Sequence, residues 1–115
     1  MRRSLEMALW AGILILPLAT FAQSGAKAQE ELAAGRKLAE KYCARCHAIG
    51  ETGLSPHGAA PPFRAIAAKG HVDDLQETLA EGIMVGHQDM PEFEFQPQEI
   101  VNFLAYLKGL ARRNN

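Results

Sequence analysis

Two thiols and an imidazole fall within five consecutive residues, Cys43-Ala44-Arg45-Cys46-His47. On a turn of helix, thiols separated by two residues can each add to one of the two vinyl groups on a porphyrin edge. The histidine that follows is then directed over the ring face, where its imidazole can ligate iron. The spacing fits covalent attachment of haem at two points and capture of the metal at a third. A chain built this way has to wrap its core around a large flat apolar body. Competing readings explain fewer of the residues. A thioredoxin-like pair needs alternating strands and helices and leaves His47 without a role. Structural zinc needs four ligands, usually as two separated pairs, and the chain has only 2 cysteines. A disulfide would strain the short loop and also ignore His47.

The N-terminus reads as an export signal. Arg2 and Arg3 are followed by an uncharged stretch over residues 7–22, almost wholly apolar over residues 8–16 and closed by Pro17. Small residues come next, the order of a secretory signal peptide. Cleavage is expected after Ala22 or after Ala28, so residues 1–28 are taken as the signal and residues 29–115 as a single folded domain. The apolar run falls short of the ~20 residues that span a bilayer, and no stable membrane insertion is expected after cleavage. Export together with the haem motif points to a bacterial periplasm, where two unused thiols would ordinarily pair. A domain of this size is small for a self-supporting core, and a tethered haem would supply the missing apolar surface. Of 12 basic and 13 acidic residues, Arg2, Arg3, Lys27 and Glu6 leave with the signal, so 9 basic and 12 acidic remain, a net charge of −3. That balance argues against nucleic acid or an anionic membrane surface as partner.

The rest of the pattern is helical. Leu32, Gly35, Leu38, Ala39 and Tyr42 recur at three- and four-residue steps, predicting a helix from Gln29 to about Cys46 with Glu30 and Glu31 at its positive end. Residues 49–62 carry Gly50, Gly53, Pro56, Gly58, Pro61 and Pro62 and read as a loop. A short helix is expected over residues 63–68, stopped by Gly70. Asp73 is expected to cap a helix over about residues 74–81, ended by Gly82. After a second loop over residues 83–95, Pro97 opens a last helix to about Gly109 whose stripe is Ile100, Phe103, Leu104 and Leu107. The four residues from Arg112 to the end are expected to fray. No strand is predicted, and the fold class is all-α.

In this order along the mature region, four segments carry a resemblance to the small class I, monohaem cytochromes c. They are Cys43-Ala44-Arg45-Cys46-His47 closing the first helix, Ala60-Pro61-Pro62-Phe63, Met90-Pro91-Glu92-Phe93, and Phe103-Leu104-Ala105-Tyr106-Leu107. One position departs: the family often has an aromatic four residues before the first cysteine, where this chain has Ala39. The resemblance implies a cytochrome c fold, three to four helices packed around one covalently attached haem c. It implies that Pro61, or Pro62 by a shift of register, offers its carbonyl to the proximal imidazole. It also implies that Gly35 lets Tyr106 of the last helix approach closely.

The site residues are thus Cys43 and Cys46 for attachment, with His47 and Met90 as iron ligands. Met90 lies in an irregular loop far along the chain from His47, as an opposite-face ligand should. Met84 reads as core, His87 as a competing ligand, and His57 and His71 as exposed loop residues. A thioether favours ferrous iron, so His/Met ligation raises the reduction potential and closes both axial positions. The expectation is an electron-transfer protein, not an enzyme, working between periplasmic redox proteins or as the cytochrome subunit of a dehydrogenase. The alternative is a haem sensor or peroxidase-like enzyme with a labile sixth ligand. Lys37, Lys41 and Arg45 near the motif and Asp89, Glu92 and Glu94 around Met90 give a docking edge of divided charge.

Overall fold

A computed structural model describes residues 18–82 and 89–114. Met84 and His87, both weighed above as ligand or core, lie outside the described residues, as do residues 1–17 of the expected signal. Among the described residues the secondary structure is helical throughout, with α1 (Leu18–Tyr42), α2 (Phe63–Ala68), a 3-10 turn (Val72–Asp74), α3 (Leu75–Glu81) and α4 (Pro97–Arg113).

The first helix is longer at its start than the spacing predicted. It begins at Leu18, because the alanine-rich stretch up to Gln29 contains no breaker stronger than Gly25 and alanine has the highest helix propensity. Glu30 and Glu31 are therefore mid-helix, not at its positive end, and Glu31 pairs with Lys27 at 3.9 Å. Residues 22–30 are all exposed, and burial starts only with Glu31 and Leu32. The helix ends at Tyr42, earlier than expected. Beyond it the hydrogen bonds loosen: the Cys43 and Ala44 N–H groups both go to the Ala39 carbonyl at 2.9 Å, and those of Cys46 and His47 to Cys43.

The α1 and α4 helices form the frame. At their crossing Gly35 is buried, and a Cβ there would run into the Asn102 carbonyl and stand 2.9 Å from the Tyr106 Cβ. Only a residue without a side chain permits this approach, which places the crossing where the resemblance implied. The predicted stripe of α4, Ile100, Phe103, Leu104 and Leu107, is buried, and Tyr106 and Leu110 join it. The helix runs past Gly109, because Leu110 is fully buried and Gly109 leaves room for Leu32 of α1. Arg112 and Arg113 then fall in the last turn, where cations are favoured, so this segment is not frayed through Arg113. At the other end Pro97 opens the helix, and the Gln96 N–H donates to the Glu99 carboxylate at 2.9 Å.

The short α2 occupies the predicted residues. Asp73 does not cap α3: the chain enters that helix through the 3-10 turn with Asp74 already in helical conformation. Asp73 instead pairs with Lys108 and fastens the turn to α4.

Candidate functional site: a cleft between the attachment motif and the Met90 loop

The turn after α1 and the loop over residues 49–62 build one wall of a cleft of about 330 Å³. Its lining includes Cys43, Cys46 and His47 from the turn, His57 and Pro61 from the loop, and Asp89, Met90 and Phe93 from the segment before α4. The four predicted site residues, Cys43, Cys46, His47 and Met90, thus share one concavity although Met90 is distant in sequence.

The imidazole of His47 is oriented by a hydrogen bond and lies against the Phe63 ring. Its Nδ1 lies 2.7 Å from the Pro61 carbonyl oxygen. A proline carbonyl can only accept, so Nδ1 carries the hydrogen and Nε2 keeps a free lone pair. This settles the register: Pro61, not Pro62, is the partner. The turn is braced by its surroundings, as the His57 N–H donates to the Cys46 carbonyl (3.1 Å) and the Phe63 N–H to the Ala48 carbonyl (2.9 Å). The Ala48 N–H donates to Ser55 Oγ at 3.0 Å, and the Tyr106 hydroxyl to the Ile49 carbonyl at 2.6 Å. The α4 helix therefore holds the residues just after His47 in place.

The Met90 side is held differently. Phe93 and Phe95 meet the ring of Tyr42 edge-on at 5.6 and 5.7 Å, and Phe95 continues to Phe103 and Phe63 in the core. The Phe95 N–H donates to the Leu79 carbonyl at 3.2 Å, tying this segment to α3. Tyr42, one residue before Cys43, thus packs on the segment before α4, while Ala39 is fully buried in the core.

Burial, and secondarily the neighbouring Cys46, push the Cys43 thiol pKa up to about 11. A disulfide oxidoreductase instead lowers the value of its attacking cysteine to make thiolate.

The family model described as cytochrome c oxidase, cbb3-type, subunit III matches residues 30–107. The chain belongs to that family of small monohaem cytochromes c. This cytochrome is similar to cytochrome c-552 of Bradyrhizobium diazoefficiens, 27% identical over 97 residues that cover 84% of this chain and 91% of that protein. No solved structure matches the chain. The cytochrome is all-α, carries covalent haem c and belongs to electron transfer. Its own residues fit the group, with two thiols and a correctly tautomerised imidazole on the wall of a largely apolar cleft.

Two features of the site were hidden from the sequence. His57 reads there as an exposed loop histidine but is half-buried and lines the cleft. Glu94, grouped with the charges around Met90, lines a separate hollow between α3 and α4 instead. No local signal marks either, since each position depends on how the loops fold over one another.

Proposed function

We propose that this cytochrome is a periplasmic electron-transfer protein that passes single electrons between redox partners, with its haem iron ligated by His47 and Met90. The observation that carries the reading is the 2.7 Å bond from His47 Nδ1 to Pro61, which aims a free Nε2 into a cleft that Met90 also lines. Cys43 and Cys46 would hold the ring through thioethers. The Pro61 carbonyl orients His47 and would increase its basicity as a ligand. Met90 would contribute a soft thioether that favours the reduced state and raises the potential. When bound, the haem would supply a one-electron iron couple. With His47 and Met90 both holding the iron, no position would be left for a substrate, which favours a carrier over an enzyme. A free carrier and the cytochrome subunit of a dehydrogenase share this chemistry.

Export is supported by the basic and apolar order of residues 2–22. The family match starts at residue 30, where the exposed part of α1 gives way to the packed part. No helix among the described residues is long and apolar enough to cross a membrane. The test is Met90→Ala in the haem-loaded protein. The parent should show the near-infrared sulfur-to-iron band of His/Met haem, and the variant should lose it, fall in reduction potential and bind carbon monoxide when reduced. A variant with an unchanged band and potential would overturn Met90 ligation.

A further inference from the structure

Met90 sits between two attachments of unequal kind. On its C-terminal side, Phe93 and Phe95 are packed against Tyr42. On its N-terminal side, the preceding residue, Asp89, meets the attachment loop: its Oδ2 lies 3.3 Å from His57 Nε2. His57 is well placed to receive it. Its backbone N–H donates to Cys46 and its carbonyl accepts from Ala60, so the residue is seated on the attachment turn. Its ring is oriented too, since Nδ1 accepts the Ala59 N–H at 3.2 Å. An amide N–H can only donate, so Nδ1 is bare and Nε2, the nitrogen that faces the Asp89 carboxylate, carries the hydrogen.

The geometry points to His57 and Asp89 as a clasp that holds the Met90 loop against the attachment loop and sets how readily an outside ligand reaches the distal face of the iron. The inference rests on Met90 being the distal ligand. The His57 side chain is 40% exposed and that of Asp89 79% exposed, so the pair adds little to global stability. Its lever is local. Opening of one loop is an equilibrium separate from unfolding and much smaller in free energy, and a weak contact is a large share of it. Without the clasp the loop can hinge on Phe93 and carry Met90 away while the aromatic packing stays in place. Both residues are positioning residues: neither touches the iron.

The experiment is imidazole binding to the oxidised, haem-loaded protein, followed by loss of the near-infrared band, in the parent, His57→Ala, Asp89→Ala and the double variant. Displacement of Met90 requires the loop to open, so each single change should raise the association rate and apparent affinity about two- to fivefold, the span of an exposed polar contact. The double variant should gain no more than either single one, because the two side chains act through one contact. Thermal unfolding should stay nearly unchanged, which a general loosening of the protein would not allow. Unchanged rates in Asp89→Ala, whose side chain is exposed and whose replacement spares the backbone, would overturn the clasp while leaving Met90 ligation intact. Effects that multiply in the double variant would also overturn it. A parent without the near-infrared band would overturn the ligation reading and the clasp together.

Discussion

The two walls of the cleft are held by different forces. The wall bearing Cys43, Cys46 and His47 is a mesh of directional bonds: Pro61 on the imidazole, Ser55 on Ala48, Cys46 on His57, and Tyr106 reaching in from α4. Among the described residues, the wall bearing Met90 depends on ring packing among Tyr42, Phe93 and Phe95, a backbone bond to Leu79 and an exposed polar contact between His57 and Asp89. Hydrogen bonds fix orientation, and packing is non-directional. An imidazole has to present one nitrogen along one direction, whereas a methionine has three rotatable bonds and adapts to its surroundings. Under the proposed ligation, the rigid wall belongs to the ligand that needs aiming, and the more yielding wall to the ligand that tolerates it.

The harshest way to break this comparison is to remove what both walls face. Replacing Cys43 and Cys46 together by Ala should leave the chain largely unfolded by circular dichroism, because the helices lose the apolar body between them. A cooperative native-like melt in that variant would show that the walls sustain themselves. In the parent, haem should stay with the polypeptide under acidic organic extraction.

A smaller effect is expected at the frame behind the rigid wall. Gly35→Val inserts a side chain where the Asn102 backbone and the Tyr106 Cβ already stand, and overpacking of this kind costs about 1–3 kcal/mol. Denaturant unfolding should show the loss with the His/Met spectrum retained. An unchanged midpoint would mean that the helices slide apart without cost.

Tyr106→Phe tests the mesh itself. It deletes the hydroxyl that donates to the Ile49 carbonyl, and one hydrogen bond of this kind contributes about 0.5–1.5 kcal/mol. The same loss should appear in unfolding, while imidazole access past Met90 stays near the parent rate. Faster access in Tyr106→Phe would erase the division between the two walls.

The smallest effect concerns the cleft's charged rim. Arg45 and Asp89 both line it, with Lys41 over the Tyr42 ring at 4.6 Å, so neither sign dominates. Electron-transfer rates with a partner should change less than about tenfold as salt shortens the Debye length from roughly 30 Å to 8 Å. A steeper dependence would show one cluster steering the encounter, and reversing Lys41 and Arg45, then Glu92 and Asp89, would show which.

The parts of the molecule that were legible in the chain are those whose cause is local. Attachment chemistry is written into five consecutive residues, Cys43 to His47, because the spacing of the reacting groups is itself short. The buried face of α4 is written into the periodicity of Ile100, Phe103, Leu104 and Leu107, because a helix places such positions on one side wherever it packs. Tertiary structure decided what depends on two distant segments meeting. It chose Pro61 over Pro62 for His47 and gave Asp73 to Lys108 instead of to a helix end. It brought His57 to the residue before Met90. Each of these turns on a few ångströms of loop placement, and a hydrogen bond that requires about 3 Å and near-linear geometry follows from how whole loops fold, not from any spacing along the chain.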